Sequence, residues 1–311
     1  MNVIKEKSKE ILSIINQDIG KRGLNNLFHI VRDDFYDAVY SIFNKVNPHL
    51  CIMTGFYIFD AENPSAETDG IVGTAHLVKA FTNIGINVSV ITDTLCYKAV
   101  KTALQGCNVE IITPIQQVPV GKTIEEYNEI IDITIKKWSE NKNPVTHLIS
   151  IERAGSSYDG RIYNMSAKDI SKHTVPFDRF FLVDKNYITI GIGDGGNEIG
   201  MGKVSQQIIS ENVRYGEFIA CKTPCDYLII SGISNWGAYG IIALYSMFLE
   251  YSKRLLFLKD FNIETDNSII TNAVKNGNAV DGRTKKNTLS IDGVSQEKNL
   301  EVLNKILEII R

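Results

Sequence analysis

The stretch Tyr187–Val204, YITIGIGDGGNEIGMGKV, constrains the fold of this chain more than any other. A β-branched apolar run, Ile188–Ile192, meets a loop carrying Gly191, Gly193, Gly195 and Gly196 together with two acids, Asp194 and Glu198. A buried strand that ends in a glycine-dense, acid-bearing turn before a helix is the place where open α/β sheets carry their chemistry. Glycine there permits positive φ and lets a ligand approach the backbone closely. Carboxylates in such a turn favour a hard divalent cation.

The rest of the chain supports that frame. Short β-branched runs predict strands at Leu50–Met53, Asn87–Ile91, Val109–Ile112, His147–Ile151, Ile188–Ile192 and Tyr227–Ile230. Amphipathic stretches predict helices over Lys5–Ile19, Asp34–Val46, Thr74–Ile84, Tyr97–Leu104, Ile124–Glu140, Glu198–Arg214, Ala238–Tyr251, Ile263–Val274 and Gln296–Ile310. This alternation predicts an α/β fold, a mostly parallel, doubly wound, Rossmann-like sheet with helices on both faces. Near-continuous apolar strands such as HLISI fit burial on both sides. No composition shift separates two domains. Residues 1–311 are therefore expected to form one domain, with a helical segment over about 1–46 and a core over about 50–295.

Polar, glycine-bearing loops follow most of these strands. They bring Glu67 and Asp69, then Asp93, then Glu152, Arg153 and Asp159, then Asp194 to Glu198, then Ser234 to Gly237. In a parallel sheet all strand C-termini share one edge, so these loops should converge on one cleft there. Taken singly, such acids also serve as N-caps of the next helix. The polar segment Asn276 to Asp292, which contains Asp281-Gly282, is long enough to be a lid or site loop.

Each motif has a competing reading. Gly191-Ile-Gly193-Asp-Gly-Gly196 satisfies G-x-G-x-x-G, but Asp194 inside the loop would repel a dinucleotide's phosphates. A metal site fits better, with Asp194 at the strand end and Glu198 in the first helical turn, where Glu198 can also act as a simple dipole partner. Glu67 and Asp69 can add ligands or supply a base. Arg153 can clamp a carboxylate or phosphate, or pair with Asp159 or Asp178. Ser234-Asn235-Trp236-Gly237 opens a helix whose amides can bind an oxyanion, or simply caps it. The histidines are scattered, which argues against a Ser–His–acid triad, and Cys221 and Cys225 lack a second ligand pair for zinc.

Composition narrows the partners. A net charge of −3 gives no electrostatic case for nucleic acid or an anionic membrane. No apolar run approaches the roughly 18 residues of a membrane span. The N-terminus reads as an amphipathic first helix and not as a signal peptide. Few, mostly apolar-flanked cysteines point to reduced thiols and a cytoplasmic location. A homo-oligomer is compatible with all of this.

Several blocks in order resemble the D-glutamate cyclase family. They are Thr54–Phe56, Glu67–Gly70, Thr92-Asp93, Ile151–Gly155, Asp159-Gly160, Asn164-Met165, Gly191–Val204, Ser234–Gly237 and Val280–Gly282. The resemblance implies a hydro-lyase that closes D-glutamate to 5-oxo-D-proline with loss of water, assisted by Mn²⁺ or Mg²⁺. That chemistry needs a base to neutralise the substrate amine and a Lewis acid on its γ-carboxylate. The expected metal ligands are Asp69, Asp194 and Glu198. Glu67 is the expected base, with Asp93 as the alternative. Arg153 is expected on the α-carboxylate. Gly195, Gly196, Asn197, Ser234, Asn235 and Asp281 are expected to line the substrate. A metal-dependent phosphohydrolase and a non-catalytic small-molecule binding module remain the alternatives.

Overall fold

The computed structural model describes residues 2–311. In chain order the strands are β1 (His49–Thr54), the short pair β2 (Tyr57–Ile58) and β3 (Ser65–Ala66), β4 (Asn87–Asp93), β5 (Ile115–Val118), β6 (His147–Ile151), β7 (Ile188–Gly193), β8 (Tyr227–Ile230), and a second short pair, β9 (Ser290–Ile291) and β10 (Val294–Ser295). The central sheet has six strands in the order β5-β4-β1-β6-β7-β8. Every neighbouring pair in it is parallel. Chain direction across the sheet reverses between β1 and β6, the arrangement that opens a crevice beyond the strand C-termini.

Alternation along β1 shows why both faces are covered. Leu50 and Ile52 join a core with helices Ile71–Asn83, Tyr97–Gly106 and Ser234–Ser246. Cys51 and Met53 join a separate core on the other face with Tyr127 and Ile131 of helix Ile124–Glu140 and with Phe177 and Phe180. Helix Ser234–Ser246 is buried along its whole length, as its all-round apolar sequence demands. It sits close to helix Ile71–Asn83, because a β-carbon on Gly73 would lie 2.8 Å from the Ala238 Cβ. Among the described residues no helix is long and apolar enough to cross a membrane.

Three expected elements are displaced. Val109–Ile112 is a turn, with Ile111 and Ile112 exposed, and the strand lies at Ile115–Val118. That strand is at the sheet edge, so it tolerates the polar sequence IQQV that hid it. The helix expected from Glu198 begins only at Gln206, capped by the Ser205 hydroxyl on the Ile208 amide. Gly200 at φ +108° cannot continue a helix, and Gly202 is pressed against the Lys222 carbonyl. The helix expected over Ala238–Tyr251 is instead Ser234–Ser246, and a separate helix runs over Tyr251–Leu258.

Candidate active site

The turns after β3, β6 and β7 bring three buried carboxylates together beyond the β1/β6 reversal. Ligand-capable oxygens of Asp69, Glu152 and Asp194 lie within 4.8 Å of one another. Asp69 is fixed by amides. Its Oδ1 accepts from Gly70 N and Asn235 N, both at 2.8 Å, and its Oδ2 accepts from Ser234 N at 2.9 Å. Glu152 stands at the end of β6 with φ +44°, a left-handed conformation that a glutamate adopts only under constraint. Its Oε2 accepts from Ser234 Oγ at 2.6 Å. Asp194 takes the Arg22 guanidinium on Oδ1, while its buried Oδ2 has no partner among the described residues.

Glu67 joins this group from the short β2–β3 pair. Its segment is stitched to the Val280 backbone through Thr68 N on Val280 O and Val280 N on Ala66 O. A cavity of about 480 Å³ is bordered by Glu67 and Glu152, with Arg22, Met165, Arg283 and Asp292 also among its walls, while Asp69 and Asp194 are buried and do not line it. Asp292-Gly293 forms the tip of the β9–β10 hairpin with both residues at positive φ, and the Asp292 carboxylate receives Arg22.

Crowding four acids out of water has an electrostatic cost. Burial, then the Asp292 and Asp69 charges, hold Glu67 well above the ordinary carboxylate range. Burial, then Asp194 and Glu198, do the same to Glu152. Burial also raises Asp194, against the pull of Arg22, and raises Asp69 despite its three amide donors. Such a group relaxes when a cation enters. The donors are all carboxylate oxygens, and Asp194 Oδ2 is an unpaired acceptor in the cluster, so the residues fit a hard dication such as Mg²⁺ or Mn²⁺.

Other residues named from the sequence are placed differently. Glu198 turns back on its own loop, accepting from Asp194 N at 3.0 Å and Gly196 N at 2.7 Å, and so shapes the turn without joining the three clustered carboxylates. Arg153 is fully buried and bonded to Gly55 O, Asp93 Oδ2 and Val175 O, over the Phe177 ring. Asp93, which also accepts from Cys96 N, is its counter-ion, so in this arrangement the two amino groups of Arg153 are engaged within the protein. The Ser234 and Asn235 amides serve Asp69, so they are not free for an oxyanion. The Asn235 side chain is spent on Gly73 N and Thr68 O. Asn197 donates to Tyr163 O, and Gly196 gives its amide to Glu198. Gly195 leaves room for Met165, whose sulfur a β-carbon there would meet at 2.6 Å. Asp281 folds the Asn276–Asp292 loop from within, accepting from Arg283 N, Thr284 N, Ser290 Oγ and Gly293 N.

The sequence reading pairs Glu152 with Arg153 and does not count it as a ligand. It also misses Arg22, Arg283 and Asp292. The strand-end position of Glu152 and the Asp-Gly pair at 292–293 were usable signals. For Arg22 the signal is weak, a Gly-rich turn, GKRG, after the first helix.

A family model described as D-glutamate cyclase-like, C-terminal, matches residues 11–307. The human protein "D-glutamate cyclase, mitochondrial" is 33% identical over 255 residues, covering 78% of this chain and 39% of that protein. The chain thus spans about two fifths of the length of the curated relative it matches. A match over nearly the whole chain and the acid-rich turns at the sheet's reversal point agree, and the chain belongs to the D-glutamate cyclase family, in the part described as C-terminal.

Proposed function

We propose that this protein closes D-glutamate to 5-oxo-D-proline with release of water, assisted by Mn²⁺ or Mg²⁺, in the cavity bordered by Glu67 and Glu152, with Asp69, Glu152 and Asp194 as the carboxylates that would hold the ion. The observation that carries this reading is the convergence of those three buried carboxylates, one of which, Asp194, has an oxygen without a partner among the described residues. A dication held by them would supply Lewis acidity to the substrate's γ-carboxylate. Glu67 is the base. Its elevated proton affinity suits removal of a proton from the substrate ammonium, and it faces the same cavity. The freed amine nitrogen bonds to the γ-carbon and then gives up a second proton. This proton and the one held by Glu67 both pass to the departing oxygen as its C–O bond breaks, so that it leaves as water and the ring nitrogen keeps one hydrogen. Arg283 makes no ion pair among the described residues and stands at the cavity wall, where it holds a substrate carboxylate.

The test is product formation by purified protein offered D- or L-glutamate with Mn²⁺ or Mg²⁺, then after EDTA treatment with metal analysis. Cyclisation preferring the D-isomer and lost with the ion is expected, and Asp194→Asn should abolish it. Full turnover by metal-free protein, or by Asp194→Asn, would reject the reading. Phosphate release from phosphomonoesters without cyclisation would favour a phosphohydrolase.

A further inference from the structure

The turn that follows the first helix is built to aim one guanidinium into the acid cluster. Asp18 pins it, accepting from Arg22 N at 2.8 Å, Gly23 N at 2.9 Å and Leu24 N at 3.1 Å. Gly23, at φ +88°, lies so close to Asn212 that a β-carbon would overlap the Asn212 carbonyl oxygen. The end of the helix is in turn tied to the loop after β8 through Gly232 N on Ile15 O at 2.8 Å. From this anchored turn Arg22 reaches the Asp194 carboxylate and backbone carbonyl with one amino group and the Asp292 carboxylate with the other. Its side chain is 16% exposed, on the side facing the cavity.

We infer that Arg22 is a resident counter-ion that a dication must displace from Asp194, and that the displaced guanidinium then becomes a carboxylate-binding group of the same cavity. The inference rests on reading the cluster as a dication site. One positive charge faces Asp194, Asp292, Glu152 and Glu198, so it neutralises the group only in part. A dication on Asp194 would lie within a few ångströms of the guanidinium, and two cations on one carboxylate repel each other strongly at low dielectric. Released from Asp194, Arg22 still borders the cavity, and a planar guanidinium is well suited to a substrate carboxylate. Metal and anionic substrate therefore bind cooperatively, each favouring the same Arg22 position.

The rival arrangement keeps Arg22 on Oδ1 while the ion uses the unpaired Oδ2. Arg22 would then orient Asp194, and its loss would weaken metal binding. A titration of metal-stripped protein with Mn²⁺, followed by the electron paramagnetic resonance signal of the free ion, separates the two without any assay of turnover. Three proteins are compared, the wild type, Arg22→Gln, and Asp18→Ala, which loosens the turn but leaves Arg22 and every clustered acid in place. Arg22→Gln should bind Mn²⁺ on the order of tenfold more tightly, and Asp18→Ala more tightly by a smaller factor. D-Glutamate should tighten Mn²⁺ binding to the wild type and do so less for Arg22→Gln. Unchanged or weaker Mn²⁺ binding in both variants overturns the inference and leaves the dication reading intact. Absence of Mn²⁺ binding in all three overturns both. Should Arg22→Gln fail to fold, the Asp18→Ala titration decides alone.

Discussion

Gly282 controls where the proposed base sits. A β-carbon at this position would stand 1.8 Å from Glu67 Oε2, so any larger residue must push the carboxylate aside. The clashing atom is the end of a flexible side chain, so Gly282→Ala should fold normally. Displacing a reacting group by about 1 Å costs roughly 100-fold in rate. Cyclisation by Gly282→Ala should therefore fall by about that factor while Mn²⁺ affinity holds. Unaltered kcat would remove Glu67 from the role of base. At this scale the sequence identified residue types better than partners. Acids placed after strands, such as Asp69 and Asp194, declared themselves. Arg153 did not, because its counter-ion Asp93 is 60 residues away and its other acceptors are backbone carbonyls that no side-chain pattern reveals.

Between β7 and the helix at Gln206–Asn212, the glycine loop owes its shape to one side chain. The Glu198 carboxylate accepts two amides of its own loop, from Asp194 and Gly196, and pairs across to the segment after β6 through the Ala154–Glu198 bridge. Glutamine at this position offers one acceptor oxygen and sets an NH₂ against the second amide. Leaving that buried amide unpaired costs about 1–3 kcal/mol. Glu198→Gln should lose that much stability in urea unfolding and should bind Mn²⁺ more weakly, because Asp194 is no longer held in place. Wild-type stability would mean the loop is fixed by its glycines alone. The same loop shows where sequence periodicity fails. A hydrophobic pattern from Glu198 onward imitates a helix, but Gly200 and Gly202 forbid one, and Ser205 is the true start. The edge strand β5 was missed for the opposite reason: being half solvated, it carries no apolar run.

At the scale of the molecule, the parallel sheet and the gathering of acids beyond its C-terminal edge were legible because βα alternation is written in every segment. What was not legible is the return of the N-terminal turn to that edge, since Arg22 and Asp194 are 172 residues apart and only the packed fold joins them. The opposite edge of the sheet carries a separate prediction. His147 begins β6, bonded to Thr146 Oγ1 at 2.9 Å and facing Ser41 Oγ at 3.3 Å. Burial, and secondarily Lys45, lower its pKa from 6.5 to about 4. The unfolded chain therefore takes up a proton on this ring near pH 6.5, whereas the folded one resists it until about pH 4. Stability from the neutral ring is complete above pH 6.5 and drains away as pH falls toward 4, up to about 3 kcal/mol in all. His147→Gln removes that titration while leaving every acid of the site unchanged, so their contribution cancels between the two proteins. Urea unfolding at pH 7.5 and at pH 4.5 should show the wild type losing more stability than His147→Gln by about 2–3 kcal/mol. Equal losses would mean that His147 is protonated within the fold, with Ser41 and Thr146 rearranged to accept its charge.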